Sequence, residues 1–342
     1  MNSRRRIPLP LVAIISVLIV GVSTQRSATS QVTSGPAGQT GPAITLDSVL
    51  VGDPGNVADP FTGYGAVAAA FRIATTELTI AQYVVFLNAV AQIPPNDTIG
   101  DLYKAEMSDS GEDPGVLIDR KGSGTAADPY IYSPSVSTVW PNAEQRPVAW
   151  VTWFDAARFA NWMHNGQGVG GTETGAYTLI AFQQSGEVTR NADAKFWIPS
   201  EDEWYKAAYY DPTKTGPSQY WKYPTSSDLP PRFAKVSENP SAPAANFQNI
   251  YKKSGMGVLV PVGSYPTSLS HYGTLDQGGN VWEWTEAAYP DPATGPNRIV
   301  RGGSWGPGIT PLEKFIRRDY GPMGSRPFYF DDDTGFRLAM TQ

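Results

Sequence analysis

The sequence contains no cysteine. Disulfides, thiolate nucleophiles and metal centres built on sulfur ligands are therefore excluded. A chain of 342 residues has apolar material enough for a core without covalent staples. Histidine is nearly as scarce: only His164 and His271 occur, far apart in sequence. A metal centre needing more than two imidazoles is excluded with them. Nor does any serine have a histidine placed to suggest a nucleophile–base pair. Charge is thin, at 17% of residues, and the formal net charge is −6. No long basic stripe follows the first residues, which argues against nucleic acid as a partner.

Long apolar runs are also missing, with one exception near the start. Arg4, Arg5 and Arg6 precede an apolar stretch from Leu9 to Val22, broken early by Pro10. Gly21, Ser23 and Thr24 follow as small or polar residues. This pattern predicts an export signal over residues 1–24, or an uncleaved signal anchor that would be the one membrane tether. Without a cysteine after the run, a lipoprotein anchor is excluded. Residues 25–43 are rich in Ser, Thr, Gly and Gln and read as a flexible linker. The expected location is periplasmic, extracellular or on the cell surface.

What the chain does hold is turn formers and rings: 34 glycines, 30 prolines, 10 tryptophans and 17 tyrosines, with 41% hydrophobic residues. Residues 44–342 show no second linker and read as one loop-rich domain of the α+β class. Three amphipathic helices are predicted. The first follows Thr79, with Ile80, Tyr83, Val84, Leu87 and Val90 on one face and Pro94-Pro95 as a stop. The second follows Thr152, whose partner Asp155 makes a capping box, and ends at Asn165-Gly166. The third starts at Ser200, with Glu203 completing another box and Asp211-Pro212 closing it. Short strands are expected at Ala70–Ile73, Phe196–Ile198, Val258–Val262, Ile299–Arg301 and Phe336–Ala339.

The densest motifs lie in the C-terminal third. Gly278-Gly279-Asn280-Val281-Trp282-Glu283-Trp284 is followed by Arg301-Gly302-Gly303-Ser304-Trp305 and then Gly335-Phe336-Arg337-Leu338-Ala339. Two tryptophans around a glutamate give a charged group apolar walls. One reading is a structural knot in which Glu283 pairs with an arginine; the other is a ligand site. Asp331-Asp332-Asp333 reads either as a solvated turn or as a place for a cation or a basic substrate.

These motifs, in this order, resemble the sulfatase-modifying-factor family of formylglycine-generating-enzyme-like domains. Upstream blocks agree: Phe71 to Asn88, Arg146 to Trp162, and Pro199 to Trp204. The resemblance covers about Ile44 to Met340 and implies a loop-rich relative of the C-type lectin fold. The best-known members of the family oxidise a sulfatase cysteine to formylglycine, using two copper-binding cysteines shortly after the GGS segment. By register Pro307 and Leu312 stand at those positions here, so copper chemistry is not transferable. The iron-binding, histidine-dependent branch finds only His164 near a helix, with no partner a turn away.

The resemblance also implies a calcium held by Asp276, Gly279, Val281 and Glu283, since calcium takes hard oxygen ligands. A second calcium position at Asn246 and Phe247 lacks its later carboxylate; Lys252 and Lys253 stand nearby instead. Trp305, Arg317, Arg318, Asp319 and Tyr320 are the cleft candidates for any remaining catalysis. Glu238-Asn239-Pro240 only superficially matches a sugar-binding tripeptide. Two functions follow as expectations: a calcium-stabilised binding or accessory module for a protein, peptide or carbohydrate, or a cysteine-independent oxidoreductase in the same cleft.

Overall fold

The three helices begin where the sequence places capping side chains. Thr79 Oγ1 accepts from the Gln82 N–H at 3.3 Å, and Gln82 Oε1 accepts from the Thr79 N–H at 2.9 Å. Helix α1 then runs over Ile80–Val90. The Thr152–Asp155 box, with bonds of 3.0 and 2.8 Å, starts α2 at Trp153–His164. The Ser200–Glu203 box, at 3.1 and 2.7 Å, starts α3 at Glu201–Tyr209. Each box satisfies two N–H groups that a helix start otherwise leaves open.

This computed structural model describes residues 32–34, 42–93, 102–108, 118–136, 141–168, 171–179, 188–234, 236, 243–247, 259–289, 297–306, 318–319 and 330–342. Among them the strands are short. β1 (Val32–Ser34) pairs antiparallel with β2 (Pro42–Ile44), so part of the stretch read as a tether is paired. Gln167 clamps Ile44 through both its backbone N–H and carbonyl. Strands β3 (Ser48–Val51) and β4 (Phe71–Ala74) open the first four-stranded sheet. β5 (Ile118–Lys121) and β6 (Ile131–Pro134) form a ribbon of their own. β7 (Phe196–Trp197) joins the first sheet, while β8 (Arg232–Phe233) and β9 (Ala244–Ala245) make a small parallel pair.

The second four-stranded sheet is built from β10 (Trp282–Tyr289), β11 (Asn297–Arg301), β12 (Arg318–Asp319) and β13 (Thr334–Gly335). Its order is β12-β11-β10-β13, with β10 and β13 parallel. The last strand, β14 (Ala339–Met340), lies inside the first sheet, whose order is β3-β4-β14-β7. Ala339 faces Ile73 on one side and Trp197 on the other. Segments from both ends and the middle of the domain thus close one sheet.

The main core is aromatic. Phe86 and Phe159 meet edge-on at 5.3 Å, Phe86 and Trp162 lie 5.4 Å apart, and Phe336 reaches Phe159 at 5.7 Å. A satellite core holds Trp204, Tyr205, Tyr209, Tyr210 and Tyr220.

Two strand expectations are corrected, and one strand was not expected. The Phe336–Ala339 strand is instead two, β13 and β14. Phe336 to Leu338 cross between the sheets, their carbonyls accepting from Leu78 and Ala74. The described part of Val258–Val262 is not a strand. Val260 N–H goes to Asn280 Oδ1 and Val262 N–H to Gln145 O, which uses the backbone in cross-links to loops. Conversely Trp282–Tyr289 is the longest described strand. Trp282 to Thr285 do alternate apolar and polar side chains, but all four are buried and the alternation ends at Glu286-Ala287-Ala288, so the pattern is too short to mark eight residues.

Candidate functional site

Strand β10 carries Glu283 into the interior, and the crossing segment after β13 carries Arg337 against it. Neither side chain is exposed at all. Arg337 Nε donates to Glu283 Oε2 at 2.6 Å and Nη2 donates to Oε1 at 2.7 Å. Trp204 Nε1 donates to the same carboxylate at 2.7 Å. The remaining guanidinium donors reach the carbonyls of Ala74, Thr75 and Leu275 at 3.1, 3.0 and 2.8 Å. The bidentate geometry and the satisfied donors are what permit a buried ion pair. The structural reading of the motif, Glu283 paired with an arginine, is therefore what the structure shows.

Two further carboxylates stand beside this pair. Leu275 N–H donates to Thr75 O at 2.8 Å, which brings Asp276 toward Glu77. Asp276, at φ 60°, accepts from the Gly263 N–H at 2.6 Å through Oδ2. Burial pushes its carboxyl up to about 6, against the opposing pull of the Gly263 N–H and Arg337. Glu77 is only 1% exposed, and neither of its carboxylate oxygens has a hydrogen-bond partner. Burial, and next the charge of Asp276, hold its carboxyl well above the ordinary range. Glu77 lies in the Phe71 to Asn88 block of the resemblance but is not singled out by the sequence as a site residue, since nothing local marks its carboxylate as buried.

The loop that turns between these groups uses left-handed backbone at Asp276, Gly279 and Asn280. Asn280 Oδ1 accepts from Asn246 Nδ2 at 3.1 Å, so Asn246 is tied into the loop. Of the residues expected to hold calcium, Asp276 and Glu283 are both drawn to Arg337, and Gly279 and Val281 are buried between them in sequence.

The second cluster lies at the GGSW segment. Ser304 Oγ donates to Asp333 Oδ2 at 2.8 Å, and Trp305 N–H donates to Asn280 O at 2.9 Å. Trp305 is buried. Asp331, Asp332 and Asp333 each place a carboxylate oxygen within 4.8 Å of the others, an arrangement that could hold a metal ion. Among the described residues no other three acidic or histidine ligands approach so closely, so Glu77, Asp276 and Glu283 do not meet at one point. The ring of Trp150, a residue at φ 59°, meets Phe330 edge-on at 6.0 Å, and the Trp150 backbone N–H donates to Asp331 O at 2.9 Å. Lys104 lies 5.6 Å above the Phe330 ring while bridging to Asp155 at 3.2 Å.

Arg318 and Asp319 pair through their backbone with Val300 and Ile299 at the sheet edge. Arg317, Tyr320, Pro307 and Leu312 lie outside the described residues, as do Glu238-Asn239-Pro240, Lys252 and Lys253. The two histidines have separate partners: His164 Nδ1 accepts from the Lys195 N–H, and His271 sits 3.2 Å from Asp211.

A third ionic network was not anticipated. Arg190 binds Glu203 with both terminal nitrogens, at 3.1 and 3.2 Å, and reaches Glu286 at 2.8 Å. Tyr177 OH donates to Glu286 Oε1 at 2.6 Å. Because Arg190 is shared with Glu203, its attraction only partly offsets desolvation, and burial pushes the Glu286 carboxyl up to about 7. The folded state therefore binds a proton that the unfolded chain releases near pH 4.5. Stability from this group falls as pH rises from there to about 7 and is level above. Glu286→Gln is expected to flatten that slope, by about 3 kcal/mol at most across the window. Urea unfolding at the two ends of the window, on parent and variant, measures it; parallel profiles would refute the assignment.

The sulfatase-modifying factor enzyme 1-like domain matches residues 50–342. The chain belongs to this family. Inactive C-alpha-formylglycine-generating enzyme 2 of Mus musculus is 31% identical over 144 residues, covering 42% of this chain and 42% of that protein. Hercynine oxygenase of Mycolicibacterium smegmatis is 32% identical over 133 residues, 33% of this chain and 27% of that protein. The match thus spans less than half the length of either relative. Among solved structures, CarF superposes with a TM-score of 0.52 at 19% identity, covering 87% of this chain and 99% of that one. That likeness establishes a shared formylglycine-generating-enzyme-like fold of mixed helices and strands. As a family member without cysteine, the chain offers copper no thiolate ligand. No helix among the described residues is long and apolar enough to cross a membrane.

Proposed function

We propose that this protein is an exported, calcium-stabilised binding or accessory module of the sulfatase-modifying-factor family. The observation that carries this reading is an intact family scaffold in a chain with no cysteine. The similarity to a relative named inactive supports it. The signal over residues 1–24 and the tether after it would deliver residues 44–342 outside the cytoplasm, and the ligand would be a protein, peptide or carbohydrate. The surface near Ser304 favours a basic peptide: three carboxylates at Asp331–Asp333 lie beside the Trp150 and Phe330 rings, and cations are held by both kinds of group. Bound calcium would supply charge compensation and rigidity to the Asp276–Glu283 loop.

The test is titration of a fluorescent lysine- and arginine-rich peptide, alongside a glycan array. Peptide binding should weaken several-fold with added salt and in Asp331→Asn/Asp333→Asn. A sulfatase-motif peptide incubated with the protein should keep its cysteine mass unchanged. Absence of any ligand together with clear turnover would sink the reading.

The similarity to hercynine oxygenase favours one alternative, a cysteine-independent oxidoreductase in the same cleft using Trp305, Arg317, Arg318, Asp319 and Tyr320. Stoichiometric iron or copper in purified protein, with oxygen consumption, would establish it; calcium alone would count against it.

A further inference from the structure

One cation already sits at the surface that would take a basic peptide, and it belongs to the chain itself. Lys104 Nζ lies over the Phe330 ring, 5.6 Å from its centroid. The same ammonium bridges to Asp155 Oδ2 at 3.2 Å, with the lysine side chain 11% exposed and the aspartate side chain 2%. Asp155 Oδ2 also accepts from the Thr152 N–H at 2.8 Å, which fixes it at the start of α2. Phe330 meets the Trp150 ring at 6.0 Å, and the Trp150 backbone N–H holds Asp331 O at 2.9 Å. A bulky residue at φ 59° persists only where its surroundings hold it, so the Trp150 ring is pinned against Phe330. Lys104, Phe330, Trp150 and Asp331 are thus linked contact by contact, and the last of them opens the run of three carboxylates. An aromatic face and a carboxylate are the two groups that hold a cationic side chain, and Lys104 uses one of each.

We propose that Lys104 is an internal stand-in for the ligand's cation: by occupying the Phe330 face and the Asp155 carboxylate, it sets how tightly the Asp331–Asp333 surface holds a basic peptide. This inference rests on the basic-peptide reading above and adds its regulation. The chain's own lysine lowers the attraction in two ways. It cancels the Asp155 charge, and it covers one face of the ring that a ligand cation would rest against. A ligand ammonium within about 6 Å of the other Phe330 face stands roughly a Debye length from Lys104 at 0.1 M salt. The repulsion between the two is therefore felt at low salt and screened at high salt.

The experiment is fluorescence titration of the full chain with a lysine- and arginine-rich peptide at low and high salt, with thermal unfolding of each variant. Lys104→Met keeps an apolar stem and removes the charge. It should bind the peptide several-fold more tightly than the parent at low salt, and the gain should shrink at high salt. Lys104→Arg keeps the charge and should bind as the parent does. Asp155→Asn keeps an oxygen for the Thr152 N–H but leaves Lys104 without its counter-charge, and it should bind several-fold more weakly. A gain in one variant and a loss in the other separates this role from damage to the fold, which would weaken both. Lys195→Met controls for net charge. The Lys195 N–H is bonded to His164, about 14 Å along α2 from Asp155, and the variant should bind as the parent does. If the parent binds no peptide, the basic-peptide reading and this inference fall together. If the parent binds and Lys104→Met binds no more tightly, only the role of Lys104 falls. Should Lys104→Met fail to fold, unchanged binding in Asp155→Asn overturns that role by itself.

Discussion

Arg337→Met is expected to leave little folded protein. The substitution strips Glu283 of two charge-assisted hydrogen bonds inside a fully buried site. It also removes the donors serving the carbonyls of Ala74, Thr75 and Leu275. Breaking one side of a buried ion pair costs about 3–5 kcal/mol, most of it the penalty of a stranded charge. That is comparable to the whole stability of many domains, roughly 5–15 kcal/mol. Adding Glu283→Gln to Arg337→Met should return part of the loss, because the stranded charge disappears while the guanidinium's bonds to the carbonyls stay lost; Thr75 O keeps another donor, the Leu275 N–H. Urea midpoints and soluble yield of the two single variants and the double variant measure this. A loss below about 1 kcal/mol for Arg337→Met would show that the pair contributes little.

Gly279→Ala should cost nearly as much, for a steric reason. Gly279 has φ 93°, and an added Cβ would stand 2.4 Å from Asn246 O. The backbone cannot retreat, since Gly279 N–H is bonded to Gly302 O at 3.0 Å and Asn280 N–H to Asn246 O at 2.9 Å. Backbone strain and overpacking together predict a loss of about 3 kcal/mol. Gly55→Ala is the control: φ is 78° there, but nothing lies within 4 Å of the new atom. It should lose only the conformational part, about 1 kcal/mol. Similar losses at the two positions would show that contact with Asn246 is not decisive.

The helices were legible because their signals are local. Thr152 with Asp155 and Ser200 with Glu203 announce their helix starts within four residues, and the structure places α2 and α3 directly after them. Strands of two residues such as β7 and β14 owe their pairing to partners far away in sequence, so periodicity could not place their ends. The site divides in the same way. Glu283 was visible between its tryptophans, and its arginine partner was expected, although nothing local singled out Arg337 over another arginine. Glu77 and Glu286 were invisible, because their importance comes from what surrounds them: the absence of any donor for one, and a shared Arg190 for the other. Trp305 was read as a cleft candidate, and it is a buried residue whose N–H is bonded to Asn280 O.

Strand β14 has a consequence for how the molecule comes into being. It fills the gap between β4 and β7, although Ile73 and Ala339 lie at opposite ends of the domain's sequence. During synthesis, β4 emerges from the ribosome long before the strand that completes its sheet. The first sheet therefore stays open until nearly all of the domain has been made, and its closure is a long-range step of the kind that slows folding. Until then the facing edges of β4 and β7 lack the strand that pairs with both, and an open strand edge is a template for pairing with another chain.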